Sequence, residues 1–150
     1  MTELIPAGAT AAPPSGLLRR LGAVLYDALL LIGVWFLATA CVLPLNRGEA
    51  FLPGTPLFTV YLVLVTFLFF GWFWTHGGQT LGMRAWKIRV VNRSGGKLSW
   101  SQALVRFSCA VVSLGAAGFG YWWIAFSSQK QAWHDIASRS QVVRVEPERN

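Results

Sequence analysis

Residues 17–43 read LLRRLGAVLYDALLLIGVWFLATACVL, and the solvent this stretch requires decides the fold. After Arg19 and Arg20 it is almost wholly apolar. At 1.5 Å per residue, 20 to 25 helical residues cover a hydrocarbon core about 30 Å thick. One acid, Asp27, interrupts it near the middle. An Asp at the centre of a span costs about 2.5–3.5 kcal/mol, while each Leu, Ile, Val or Phe returns about 0.3–0.6 kcal/mol, so insertion stays favourable. A carboxyl admitted there should face a partner or a wet cavity rather than lipid. The alternative is a protonated or Arg-paired packing residue. Ala38-Thr39-Ala40 followed by Cys41 imitates a signal-peptide or lipoprotein cleavage site. The apolar run before it is longer than the roughly 7–15 residues of a signal core, so an uncleaved span is expected.

Working outward, residues 1–16 are rich in Ala, Pro, Gly and Thr, without apolar periodicity, and read as a disordered N-terminal tail. On the other side, Pro44, Asn46, Gly48, Pro53, Gly54 and Pro56 mark a loop in which Arg47 and Glu49 cancel. A second uncharged span follows over about 57–75, ending in Phe69, Phe70, Trp72, Phe73 and Trp74, an aromatic cluster of the kind that gathers at headgroup level. Residues 76–101 contain Arg84, Lys87, Arg89, Arg93 and Lys97 and no acid. The positive-inside rule places that segment, and with it the N-terminus, in the cytoplasm of a multi-pass inner-membrane protein.

Within the basic segment, 87–91 and 97–100 alternate polar and apolar residues around Asn92-Arg93-Ser94-Gly95-Gly96, which predicts a short β-hairpin. The third apolar region, 103–126, carries Arg106 near its start and glycines at 115, 118 and 120. It is either a single span or a hairpin broken at the glycines, and broken backbone at membrane depth must be buried in protein. Residues 142–145 are again strand-like, and would pair with 87–91 if both lay on the cytoplasmic side. Residues 146–150 form a C-terminal tail. The expected fold is therefore an all-α membrane protein: a helical bundle with two clear transmembrane helices, a third apolar region and a small cytoplasmic β-hairpin.

Composition excludes other classes. Hydrophobic residues make up 54% and charged residues 13%, where soluble domains hold about a quarter charged. The net charge of +7 would suggest nucleic acid only if it formed a patch on a polar domain, and here it flanks spans. The expected contacts are the bilayer, anionic lipids included, and a second copy or another membrane protein. Cys41 and Cys109 lie in apolar runs and read as buried, inert thiols.

Candidate functional residues are few. Arg20 stands seven residues before Asp27, on one helix face and roughly 10 Å away, so a third group or water should lie between them. Arg19 reads as an interfacial anchor. Arg106 should snorkel to the interface, the alternative being a pair with a buried acid. His134 and Asp135 read as a histidine with its orienting carboxylate, because a metal site needs three or four ligands and His76 is the one other histidine. Gly77-Gly78-Gln79-Thr80-Leu81-Gly82 has phosphate-loop spacing but Met83 and Arg84 where Lys and Ser or Thr are required, so its glycines are read as a sharp turn. No nucleophile with its base or paired catalytic acids appear, and neither an enzyme nor a cofactor is expected.

An Arg opening the first span, an Asp seven residues on, Gly-Gln-Thr-Leu-Gly before a basic strand, an Arg early in the third region and a late His-Asp before Val-Val together resemble the RDD family of small bacterial membrane proteins. The resemblance runs over 17–145, and implies that Arg20, Asp27 and Asp135 are the family's Arg and two Asp, with Arg106, His134, Gln79 and Thr80 as secondary candidates. Met83, where many relatives carry Lys, and Ser127, where an acid is frequent, depart from the pattern. The resemblance further implies that Asp135 returns to Arg20, so that Arg20→Asp with Asp135→Arg should partly restore what either single change loses. Two functions follow as expectations: transport of ions or small ligands with Asp27 on the path, in a homo-oligomer, or a scaffold for another membrane protein with Asp27 and Arg20 as polar contacts between helices.

Overall fold

The computed structural model describes residues 13–52, 54–116, 118–128 and 131–145. The expected tails lie outside these, except that 13–16, assigned to the N-terminal tail, are ordered parts of the fold. Among the described residues there are six α-helices, a 3-10 turn and one two-stranded sheet.

The first span forms α1, Leu17–Val42, which tightens into the 3-10 turn Leu43–Asn46 at Pro44. The second forms α2, Pro56–His76, entered through Pro56, whose missing N–H is no loss in a first turn. The two run antiparallel. Trp35 Nε1 donates to Thr66 Oγ1 at 2.9 Å, and the Tyr61 hydroxyl donates to the Ala38 carbonyl at 3.0 Å. With mean hydropathies of 2.4 and 2.0, both helices are long and apolar enough to cross a membrane. Continued toward the start of α1, this register sets Asp27 opposite residues 72–74. The acid expected near mid-span therefore lies level with the aromatic end of α2. The 26 residues of α1 extend about 39 Å, longer than the hydrocarbon core, and its surplus is the end that carries Arg20, Ala23 and Asp27 on a buried face.

A second layer covers that face. After α2 come the short helix α3, Leu81–Ala85, and strand β1, Ile88–Asn92. The expected hairpin partner of β1 does not form. Ser99 caps helix α4, Trp100–Gly115, accepting from the Gln102 N–H at 3.3 Å while the Gln102 side chain accepts from the Ser99 N–H at 3.1 Å. The Ser-x-x-Gln pattern is a helix start, and it overrides the short alternation at 97–100. Strand β1 pairs instead with β2, Ser140–Arg144, antiparallel, with Val90 facing Val142. Residues 13–15 add to the other edge of β2, through Ser15 N–H to the Val142 carbonyl and Arg144 N–H to the Pro13 carbonyl, both at 3.0 Å. Ile88, Val90 and Val142 pack with Ala23, Trp74, Leu98 and Ala103 into the core.

The third apolar region is not one helix. It breaks after α4, and α5, Phe119–Phe126, starts from Gly118 at φ +76. Sixteen residues of α4 reach about 24 Å, short of the hydrocarbon core. The chain turns back there, and α6, Trp133–Ala137, and β2 return to the end of the molecule where α1 begins.

The distribution of polarity is inverted relative to a water-soluble domain. Phe36 and Leu57 are 74% and 81% exposed, while Arg20, Arg106 and Asp135 are 4%, 3% and 0% exposed. Cys41 belongs to this outer apolar surface and Cys109 is half-buried, so neither is the enclosed thiol expected. An apolar side chain gains nothing by turning inward where lipid is the solvent, and a charge gains everything.

Candidate functional site

Four sequence candidates meet in one cluster. Asp135 sits on α6 with its carboxylate enclosed, where one oxygen accepts from Arg20 Nη1 and the other from Arg106 Nη1. The Ala132 N–H donates to it as well, at 3.1 Å. Arg106 was expected to snorkel outward. Its guanidinium turns inward instead, because a buried carboxylate lies within reach, and Nη1 also donates to Ser140 Oγ on β2 at 2.9 Å. The same guanidinium lies 5.1 Å from the Trp74 ring centre, a cation–π distance. Arg20 Nε donates to Ser15 Oγ at 3.0 Å, tying in the residues before α1. His134 Nε2 stands 3.6 Å from Asp135 Oδ1, an electrostatic contact too long for a hydrogen bond. One carboxylate thus joins α1, α4 and α6, across sequence separations of 115 and 29 residues.

Charge states follow from these neighbours. Burial raises the Asp135 carboxyl, but the Arg106 and Arg20 charges outweigh it and hold the group well below the usual carboxylate range. Burial, then the Arg106 charge, pushes His134 from 6.5 down to about 3, against the opposing pull of Asp135. At neutral pH the cluster therefore holds two guanidinium cations, one carboxylate and a neutral imidazole.

The second cluster forms around Asp27. Arg20 and Asp27 share a helix face, and among the described residues each has partners of its own. Asp27 Oδ2 accepts from the Thr80 hydroxyl and Oδ1 from the Gly82 N–H at 2.8 Å. Thr80 caps α3, its oxygen also accepting from the Met83 N–H at 3.2 Å. Gly78, Gln79 and Gly82 of the glycine-rich turn have physical reasons as well. Gly78 has φ +68, and a Cβ there would stand 2.6 Å from the Val90 carbonyl. Gln79 Nε2 donates to the Ile88 carbonyl at 2.8 Å, which fixes β1 without touching either carboxylate. A Cβ on Gly82 would come within 2.3 Å of the Ala23 carbonyl oxygen, so α3 can approach α1 only with glycine at that position.

Sequence reasoning missed Trp74, Ser15 and Ser140. Trp74 was grouped with the interfacial aromatics, yet it is buried beside Arg106 while Trp72 faces outward. A signal existed, because the two tryptophans are two residues apart and a helix points such neighbours in different directions.

Between α1, α2 and α4 lies a cavity of about 500 Å³. Val24, Leu31, Leu62, Val63, Phe107 and Val111 contribute to its apolar wall. Arg20, Asp27, Trp74, Arg106 and His134 also line it, as do Ile88 and Val142 of the sheet. Thr59 and Thr66 lie along the wall too, their hydroxyls donating back into their own helix or loop at 3.0 and 2.7 Å. Among the described residues the buried Arg106 Nε and Trp74 Nε1 have no hydrogen-bond partner. Among the same residues no three His, Cys, Asp or Glu side chains gather as metal ligands would.

The model of the RDD family matches residues 14–139, which takes in Arg20, Asp27, Gln79, Thr80, Arg106, His134 and Asp135. No curated protein and no solved structure matches the chain.

Proposed function

The chain belongs to the RDD family and is a membrane protein, and from that premise we propose that it binds a small apolar or amphipathic ligand inside the bilayer, as a transport protein or an accessory to one. In this reading it is a multi-pass protein of the bacterial inner membrane. The N-terminus, the basic segment 84–97 and the sheet lie in the cytoplasm, and α4 and α5 form a re-entrant hairpin. No reaction chemistry enters this reading.

The carrying observation is the cavity, whose volume falls within the roughly 300–1,000 Å³ of small-molecule sites and whose apolar wall ends in a few polar groups. An ion path through Asp27 is less well supported, because its two oxygens are taken up by Thr80 and Gly82 and the nearest space is oily. The scaffold reading loses its polar contacts in the same way, since Arg20 and Asp27 are spent inside the chain.

Three experiments test the proposal. Organic extraction of the protein purified in detergent, followed by mass spectrometry, should yield a small molecule near one equivalent, reduced in Ala110→Trp, which narrows the cavity from α4. If the wild type and the narrowed variant yield the same extract, the ligand reading falls. Ion flux into liposomes that is abolished by Asp27→Asn would restore the ion path in its place. Reporter fusions at the C-terminus test the topology, and a periplasmic signal there would overturn the re-entrant hairpin.

A further inference from the structure

A surface near the start of α1 is apolar on one side and cationic on the other. About twenty residues counted back from the Val42 end of α1 span the roughly 30 Å of the hydrocarbon core and arrive at Gly22. The Trp86 ring lies there, so close that a Cβ on Gly22 would stand 2.2 Å from it, and tryptophan favours this depth. On the helix surface Gly22 neighbours Leu18 and Leu25. These two and Leu21 form an exposed apolar stripe beside the ring.

The cations stand further out. Arg19 precedes Gly22 by almost one turn, about 4.5 Å of rise, which brings it to the depth of the headgroups. Its Nη1 donates to the Trp86 carbonyl at 3.4 Å, next to Lys87. There the chain turns sharply, with Lys87 at φ +52 and its N–H donating to the Arg84 carbonyl at 3.2 Å. The Arg84 and Lys87 side chains are exposed, and among the described residues neither has a hydrogen bond or an ion pair. The acids among those residues are Asp27 and Asp135, both taken up inside the fold, and Glu49, beyond the opposite end of α1. Three cations beside an apolar stripe fit a ligand that is anionic at one end and hydrocarbon at the other.

We propose that this surface binds one anionic phospholipid, its phosphate held by Arg19, Arg84 and Lys87 and one acyl chain lying along Leu18, Leu21 and Leu25. The occupant is a lipid rather than a soluble anion because the apolar stripe runs from the cations into the bilayer. It is anionic rather than zwitterionic because no carboxylate among the described residues is at hand to take a headgroup ammonium. A lipid so placed clasps α3 to the start of α1. None of these residues lines the cavity, so the site stands whether or not the cavity holds a ligand.

Titration of the full chain in detergent with dioleoyl phosphatidylglycerol, read by native mass spectrometry, tests this. One equivalent should bind about tenfold more tightly than dioleoyl phosphatidylcholine. Arg84→Gln with Lys87→Gln should weaken the phosphatidylglycerol about 25-fold, roughly fivefold for each charge. Arg93→Gln with Lys97→Gln removes the same charge beyond the far end of β1, roughly 20 Å from Lys87. That exceeds the screening length, so the second pair should change binding less than about twofold. Melting temperatures establish that the variants are folded, and Arg84→Gln alone, at about fivefold, carries the test should the first pair unfold the chain. If both pairs lose affinity equally, diffuse charge accounts for the binding and the site is overturned. Equal affinity for the two lipids overturns the anionic headgroup, and displacement by millimolar inorganic phosphate overturns the lipid in favour of a soluble anion. Loss of the phosphatidylglycerol in folded Ala110→Trp would place it in the cavity instead and overturn this site.

Discussion

Asp27 and Asp135 are both buried carboxylates lining or bordering one apolar space, yet the chain neutralises them by different means. Asp135 is held by two full cations drawn from α1 and α4, together with a backbone N–H. Asp27 has no cation among the described residues, and is held by a hydroxyl and a backbone N–H presented by one short helix. A charge matched by charges makes every member dependent on the others, since removing one strands the rest in a medium that cannot solvate them. A carboxyl held by neutral donors depends on close approach instead, and the chain secures that approach with glycine. One cluster is an electrostatic lock between distant elements; the other is a steric fit between neighbours.

The lock should break hardest. Asp135→Ala leaves two guanidiniums buried without their carboxylate, and a loss of about 3–5 kcal/mol is expected, read as a fall in melting temperature or loss of monodisperse protein in detergent. Sequence reasoning expected Arg20→Asp with Asp135→Arg to recover part of that loss. With Arg106 in contact, the swap sets a new guanidinium beside an old one, so the double variant should be no better than Asp135→Ala. Recovery would mean that Arg106 does not share the carboxylate.

The steric fit should break next. In Gly82→Ala the new methyl meets the Ala23 carbonyl oxygen, backbone that no rotamer change can move aside. A cost of about 3 kcal/mol is expected, with faster hydrogen exchange at Met83 and Arg84 as α3 lifts from α1. Wild-type exchange at those amides would show that the two helices do not approach as described.

How much of this was legible in the sequence follows from the range of each interaction. The two spans, the loop between them and the strand character of 88–91 and 142–144 could be read because apolar length and alternation are local properties. The three residues Arg20, Asp27 and Asp135 emerged from a resemblance, as did the return of Asp135 to Arg20. The inward turn of Arg106 emerged only as the lesser alternative, because nothing near it in sequence announces an acid 29 residues away. The partner of Asp27 was also hidden. Thr80 was visible as a polar residue among glycines, but its contact spans 53 residues and depends on a glycine two residues beyond it. The hairpin at 87–100 failed where two local signals competed, and the capping pattern of Ser99 and Gln102 outweighed four residues of alternation.

Acid should separate the two clusters again. His134 is neutral in the fold with its value lowered to about 3, whereas the unfolded chain protonates it from about 6.5. A basic group with a depressed folded value contributes stability at high pH that is lost as pH falls between those two values. Between pH 7 and pH 5 this amounts to about 2 kcal/mol. Asp135, also depressed in the fold, stabilises above its unfolded value near 3.8 and loses that contribution only as pH falls below it. Melting between pH 7 and pH 5 should therefore decline in wild type and stay flat in His134→Gln. An equal decline in both would place the titrating group elsewhere.

The smallest effect discriminates the two mechanisms most directly, because the same substitution applies to both acids. Asn keeps an acceptor oxygen and discards the charge. At position 27 that oxygen can still accept from the Gly82 N–H, and the Thr80 hydroxyl can rotate to accept from the new amide, so Asp27→Asn should cost about 1 kcal/mol. At position 135 the amide presents a donor to one of two guanidiniums that have only donors, and no rotation resolves it. Asp135→Asn should approach the cost of Asp135→Ala, and the gap between the two Asn variants, read as melting temperatures at neutral pH, measures how much of each site is charge. Equal losses would mean that Asp27 is also held by a full cation, and the contrast between lock and fit would disappear.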